Sequence, residues 1–528
     1  MRARLTPTVC TERLQGHFAY GDALAALCSR LQDLCGAGQH PRRGLVRVEA
    51  LIDPSSLQSA SRLAGSLPLS WLASVPAGRR LLFRSRDGQR EIAGTGWALS
   101  THDWRHPALA GIVGACESRP GLSDSVAQDP LDPAVLVLEP FRDGHATGHE
   151  WRDFETTRLI VPAVEWRAAQ GYAVLAANGV GSAAATLETL AELIRAAGAA
   201  AAEASAHPRA AAAAGLAPAS AQSGSPAWRV CDDGDPARWA DAIDAALSAI
   251  AAGRIEKVVM ARTRRYGCDR PIDPVHVLSL LQAEEPDAYH LMVECGAGRA
   301  FVAASPERLF GRVGRTVRSE AVAGTCARGP DGPSDDSLAD RLLASDKNRR
   351  EHDIVTRCIE SALRPLTSDL SAAASPRVIR CAHVQHLSTP ISGELREGVD
   401  DGTVLGRLHP TPAVCGLPVG EARSFIEAHE PFPRGMYAGA VGIVTAGESE
   451  FAVGIRSALI DGDTLTAFAG AGIVDGSEAD AEWLETARKL ESFDVLLRQP
   501  RVASAAHGRA QSEGMRVRRP LAAATRAV

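Results

Sequence analysis

Apolar and polar positions change period several times along the chain. Residues 44–52, 91–99 and 134–138 are short apolar runs bounded by Gly, Pro and polar residues, and they predict strands. Residues 236–252 place Trp239, Ile243, Leu247 and Ile250 at helical spacing and predict an amphipathic helix. KVVMAR at 257–262 follows as a buried strand. Residues 300–304 and 309–313 flank Ser305-Pro306-Glu307 and predict a hairpin closed by that turn. Residues 342–366 predict one long helix with Ile354, Cys358 and Leu363 on one side. Residues 441–444, 450–459 and 464–469 predict successive antiparallel strands, and 478–497 a closing helix. Strands and helices in this mixture, without strict β-α-β alternation, predict an α+β fold.

Composition divides the 528 residues into zones. Residues 1–194 mix apolar runs with Gly and Pro. Residues 195–227 are Ala-rich, then rich in Pro, Gly and Ser, and read as a linker or surface excursion. Residues 228–500 carry the motifs, and 501–528 read as a disordered basic tail. A net charge of −6 and 5% aromatic residues argue against a nucleic-acid partner. No apolar run is long enough to span a membrane, and the N-terminus has no secretory pattern. Eleven scattered cysteines without a C-x-x-C predict reduced thiols in a cytoplasm.

Several polar residues stand out against this background. Glu482 and Glu485 are three apart in a predicted helix, and Glu351 opens the apolar part of another. Carboxylates from two helices facing one cavity suit a hard cation such as magnesium. Spacing alone favours plain solvated helix faces for them. Glu307 is an exposed turn residue or, if buried, an acid with a raised pKa. Lys257 opens an apolar strand, where it either snorkels to solvent or, partly desolvated, serves as a base. The segments Ala323-Gly324-Thr325, 435–442 and Ala469-Gly470-Ala471-Gly472 admit close backbone approach, with tight turns as the plain alternative. Neither of the last two fits a dinucleotide or P-loop fingerprint. Arg456, inside the apolar run FAVGIRSALI, calls for an anionic partner.

Taken together, KVVMAR (257–262), ASPERLF (304–310), AVAGT (321–325), KNRREHDIV (347–355), VQHLSTPISG (384–393), LHPTPAVCGLP (408–418), EPFPRGMYAGAVG (430–442), GIRSA (454–458) and AGAGIVDGSEADAEWLETARKL (469–490) resemble the chorismate-utilising enzyme family. That family includes isochorismate synthases, salicylate synthases, anthranilate synthase large subunits and aminodeoxychorismate synthases. The N-terminal half resembles it more loosely, through WRDF (151–154) and LIVP (159–162).

The resemblance implies two packed sheets, flanked by helices, around one cleft, with the N-terminal part in the same body. It implies Mg2+ held by Glu351 and Glu485, with Glu482 nearby. It assigns Thr325, Gly324, His409, Ala413, Tyr437, Arg456, Gly470 and Lys489 to the substrate, chorismate. It makes Lys257 the base that activates a water and Glu307 the acid for the leaving hydroxyl. The implied reaction is chorismate to isochorismate, supplying menaquinone, salicylate or siderophore synthesis. A monomer is expected because nothing indicates a coiled coil or a paired edge, and no amidotransferase subunit is expected, since no nucleophilic-elbow Cys with a partner His occurs. Amine-adding members typically lack a lysine where Lys257 stands. Aminodeoxychorismate synthases often carry a nucleophilic lysine where Ala323 stands, and salicylate synthases tend to have Thr in place of Ala413. Cys415-Gly416 departs from the family pattern beside that deciding segment. Salicylate synthase is the competing activity. A non-catalytic binding subunit would have lost one of Lys257, Glu307, Glu351 or Glu485, and all four are present.

Overall fold

The computed structural model describes residues 10–36, 45–52, 67–109, 112, 133–142, 149–169, 172–180, 183–206, 226–296 and 298–498. The N-terminal elements are β1 (Cys10–Phe18), α1 (Tyr20–Gly36), β2 (Leu45–Ile52), α2 (Leu67–Ser74), β3 (Arg79–Arg84), β4 (Glu91–Thr101), β5 (Val135–Glu139), β6 (Arg158–Ala169), β7 (Tyr172–Val180) and α3 (Ala184–Ala206). Next come β8 (Trp228–Asp232), α4 (Pro236–Ala251), β9 (Lys257–Cys268), α5 (Pro274–Glu284), β10 (Tyr289–Gly296), β11 (Arg299–Ser305), β12 (Arg308–Val313), β13 (Thr316–Ala327), α6 (Gly332–Ala344) and α7 (Asp346–Leu363). The last group is β14 (Thr367–Ala372), β15 (Arg377–Arg380), β16 (Val384–Leu395), α8 (Asp401–Leu408), β17 (Gly416–Leu417), α9 (Val419–His429), β18 (Ala440–Val444), β19 (Glu448–Val453), β20 (Ser457–Asp461), β21 (Thr464–Ile473) and α10 (Ala479–Leu490).

Pairing is antiparallel except between β1 and β2. One layer runs β1–β2–β7–β6–β4–β3–β10–β11–β20–β21–β9, with β8 and β17 beyond β9. A second layer leaves the same β6 as β5–β18–β19–β12–β13–β16, with β14 and β15 beyond. β6 serves both because its start pairs with β5 and its end with β7. One core cluster joins Val258, Met260 and Phe301 of the first layer to Val441 and Phe451 of the second. The α+β class and two-layer architecture are thus as expected.

Local chemistry explains the elements that carry the site. In α4, Asp235 caps the start by accepting from Ala237 N–H, Pro236 occupies the first turn, and Trp239, Ile243 and Ala246 are buried. β9 is buried over its first six residues, matching KVVMAR.

Four expected elements differ. Residues 300–313 do not form a hairpin: β11 pairs with β10 and β20, whereas β12 pairs with β13 and β19. Ser305-Pro306-Glu307 instead carries the chain from one layer to the other. Residues 450–459 are not one strand, because the chain crosses back at Gly454–Arg456, with Arg456 at φ 48. The helix expected over 342–366 breaks at Ser345, whose side chain accepts from Asn348 N–H and starts α7. The closing helix ends at Leu490 and tightens into a 3-10 turn, Glu491–Leu496. The zone boundary at 194 falls inside α3, so the alanines up to Ala206 continue a helix of the N-terminal part. Residues 207–225 and the tail expected over 501–528 lie outside the described residues.

The two crossings touch. Val453 N–H donates to the Glu307 carbonyl at 3.1 Å, and Ala304 N–H donates to the Arg456 carbonyl at 3.0 Å.

Candidate active site

The crossings bring Glu307 and Arg456 to one place, and β9 brings Lys257. Lys257 is fully buried, and its Nζ forms an ion pair with Glu351 Oε1 at 2.9 Å. Gly472 on the neighbouring β21 makes room for this pair. A Cβ there would lie 2.1 Å from Glu351 Oε1 and 3.0 Å from Lys257 Cε. Burial pulls the Glu351 carboxyl upward, but Lys257, with Lys489 and Lys347, outweighs it and holds the group below its ordinary value.

Glu307 behaves oppositely. Burial, reinforced by the charge of Glu320, pushes its carboxyl up to about 8 against the opposing fields of Lys257 and Lys489. At neutral pH it is a protonated acid facing a lysine cluster.

Arg456 is buried, and its Nη2 lies 3.2 Å from His386 Nε2. Its Nη1 is buried without a hydrogen-bond partner among the described residues. A buried guanidinium donor left over in this way can take an anionic ligand. The other His386 nitrogen, Nδ1, lies 3.1 Å from Thr325 Oγ1. Burial, with Arg456 and Lys489 nearby, holds His386 well below its ordinary value, so it is neutral. Arginine only donates, so Nε2 accepts and the ring proton sits on Nδ1. His386 was not singled out in the sequence; its only signal is a histidine amid the buried run VQHLST.

The remaining predicted residues divide. Thr325 N–H donates to Asn348 Oδ1 at 3.2 Å, and Gly324 takes φ 75 against Asn348. Lys489 Nζ donates to the Gly470 carbonyl at 3.0 Å and to Glu485 Oε1 at 2.8 Å. Tyr437 is buried and stacks on Phe468 at 5.2 Å, and a Cβ at Gly470 would lie 2.7 Å from its hydroxyl. Burial raises the Tyr437 phenol, which therefore stays neutral. His409 and Ala413 are not joined to this group by the described contacts. His409 Nε2 sits 3.3 Å from the Pro140 carbonyl, burial lowers its pKa to about 4, and Ala413 packs on the core.

The carboxylates on α7 and α10 each meet a lysine: Glu351 with Lys257, Glu485 with Lys489, and Glu482 with Lys347. Glu482 is raised by burial and then by the charge of Glu485, which Lys347 only partly offsets. Three carboxylates and three lysines are thus paired one to one, and a cation here would replace lysine contacts. Among the described residues no group of three or more His, Cys, Asp and Glu is spaced to hold a metal unaided. Glu351 and Glu485 are the carboxylates that could hold a magnesium ion, which uses one or two carboxylates and otherwise water and substrate oxygens. A separate pocket of about 440 Å³ lies elsewhere, beside Phe141, Trp151, Phe432 and Arg434, and neither Lys257 nor Glu307 lines it.

Comparison with known proteins places this geometry. The chorismate binding enzyme family matches residues 51–498. The chain belongs to that family. The N-terminal half is included, and Trp151 shows how: its Nε1 donates to the Pro433 carbonyl at 3.0 Å, so WRDF is built into the catalytic half. The chain is 42% identical over 244 residues to isochorismate synthase 2 of Arabidopsis thaliana, covering 46% of this chain and 43% of that one. It is 38% identical over 263 residues to the isochorismate synthase MenF of Escherichia coli, covering 50% of this chain and 61% of that one. These alignments thus span about half of each relative's length. The solved structure of the Escherichia coli menaquinone-specific isochorismate synthase superposes with a TM-score of 0.69 at 28% identity, covering 91% of this chain and 100% of that one. Anthranilate synthase component I of Streptococcus pneumoniae, at 19% identity and TM-score 0.53, shares the fold.

Proposed function

We propose that this family member is an isochorismate synthase. It isomerises chorismate by adding water at C2, shifting the double bonds and losing the C4 hydroxyl as water. The observation that carries the reading is the opposition of two buried groups in one site: a lysine at Lys257, and a carboxyl at Glu307 whose pKa is pushed up to about 8. Water addition with loss of a hydroxyl needs a base and an acid, and these are the two. Lys257 must first give up its own proton and leave its ion pair with Glu351; the neutral amine then takes the proton of the attacking water, and Glu307 gives its proton to the departing oxygen. Arg456 holds a substrate carboxylate through its unpartnered Nη1, with Thr325 beside it. Because His386 donates from Nδ1, the Thr325 hydroxyl keeps its own hydrogen for the substrate. Tyr437, Gly470 and Lys489 line the same place, and we keep His409 and Ala413 as more distant contacts.

Glu351 and Glu485 would hold Mg2+, with Glu482 behind them. The ion would supply charge neutralisation for a substrate carboxylate. We also propose that the chain works as a cytoplasmic monomer without an amidotransferase subunit. Among the described residues no helix is long and apolar enough to cross a membrane. Purified protein given chorismate and Mg2+ should yield isochorismate by HPLC, approaching an equilibrium mixture, and EDTA should stop it. Salicylate with stoichiometric pyruvate, or turnover only with ammonia, would overturn the assignment.

A further inference from the structure

One edge of β9 is paired with β21 from Val258 to Gly267. The other edge is not continuous. β17 pairs with Lys257 and Val258, the Cys415 carbonyl before it accepts from Val259 N–H at 2.8 Å, and β8 begins only at Arg265. In the gap, backbone groups next to Lys257 are met by side chains. The Val259 carbonyl accepts from Arg434 Nη2 at 2.7 Å, and Ala261 N–H donates to Glu430 Oε1 at 2.8 Å. Arg434 and Glu430 bind each other through two bonds, one of them Nε to Oε2 at 2.8 Å. Arg434 Nη1 also donates to the Val414 carbonyl at 2.7 Å, and Tyr437 N–H donates to the Arg434 carbonyl at 2.9 Å. Both side chains are nearly inaccessible, at 3% and 1%.

We propose that Glu430 and Arg434 are positioning residues whose joined side chains stand in for a missing strand beside β9 and fix Lys257 against Glu351. A buried ion pair is costly to desolvate, and one such pair is retained where an apolar pair could not bond the backbone. Arginine is required because three separate acceptors lie around one plane, which a lysine point charge cannot reach together. The same guanidinium ties the 408–418 segment to the strand, and the main-chain carbonyl of Arg434 holds Tyr437, so one residue joins three parts of the site. The inference rests on Lys257 being the base, but its structural half does not.

The test compares Arg434→Lys, Glu430→Gln and Glu430→Ala with Arg312→Lys. Arg312 forms a buried, bidentate pair with Asp401 at the far end of β12 and serves as a stability control. Arg434→Lys is expected to lower kcat by about 10- to 100-fold with KM for chorismate within about twofold, since small misplacement of a reacting group costs that much. Hydrogen exchange across 257–262 should accelerate in Glu430→Ala. Glu430→Gln keeps an oxygen for Ala261 and should lie between Glu430→Ala and the parent protein. It also serves if Arg434→Lys does not fold. Arg312→Lys should lower the melting temperature without changing kcat or exchange at 257–262. Unchanged exchange and kcat in the Glu430 variants, or an equal kcat loss in Arg312→Lys, would overturn the clamp. If the parent protein makes no isochorismate while exchange still rises in Glu430→Ala, the functional reading fails and the clamp stands.

Discussion

The two ends of the β12–β19 ladder hold buried arginines in opposite conditions. At one end Arg312 is saturated: Nε and Nη2 bond Asp401 at 2.8 and 2.7 Å, and Nη1 reaches the Gly314 carbonyl at 3.0 Å. Ser449 Oγ adds a further bond to Asp401 at 2.6 Å. At the other end, just before β12 and just after β19, stand Glu307 and Arg456. Neither has an ion-pair partner among the described residues, and Arg456 Nη1 has no partner of any kind there. A saturated pair contributes to the fold and asks for nothing more. A buried arginine with an unpartnered donor costs stability unless a ligand completes it. The same strands thus carry a structural end and a chemical end.

The sharpest way to break this contrast is Glu307→Gln. Activity should fall by roughly 10²–10⁴-fold, because the amide cannot donate the leaving proton. Stability should move the other way. The carboxyl titrates at 4.5 when free and at about 8 in the folded chain, so folding takes up a proton between those values. This group therefore favours folding most below pH 4.5 and progressively less as pH rises toward 8. The glutamine variant should be more stable than the parent at pH 7 by on the order of 1–3 kcal/mol, read by chemical denaturation. A less stable variant would place Glu307 with the structural end.

The arginines come next. Arg456→Ala should lose roughly 10²–10³-fold in kcat/KM, the scale of a desolvated charge contact, with little change in melting temperature. Arg312→Ala should instead cost about 3–5 kcal/mol of stability, since it strands the buried Asp401. Exchange of these two phenotypes would undo the comparison.

Smaller effects sharpen it. The kcat profile should fall on the alkaline side as Glu307 loses its proton near pH 8, about tenfold per pH unit beyond it. Glu307→Gln should remove that limb from its residual activity. Gly472→Ala drives a Cβ to 2.1 Å from Glu351 Oε1. It should cost about 1–3 kcal/mol and disturb the Lys257 pairing.

Much of this was legible in advance. Arg456 lies in an apolar run that declares its burial, whereas the local pattern favoured exposure for Lys257, Glu307 and Glu351, and only the family resemblance brought those three into the site. The misread elements share one cause. Ser305-Pro306-Glu307 looks like a hairpin turn because proline and short flanking runs report a change of direction, not which layer the next strand joins. Arg456 was read inside a strand because nothing local announces its positive φ. His386 and the Glu430–Arg434 pair escaped notice because their roles depend on partners 61 and 175 residues away in the chain.

The most direct test of the central claim, that Lys257 and Glu307 exchange one oxygen for another at different carbons, is turnover in H2(18)O. Isochorismate formed by the parent protein should carry one 18O, at the C2 hydroxyl. Isochorismate that retains the original chorismate oxygen would mean migration within the substrate and would contradict the acid–base assignment.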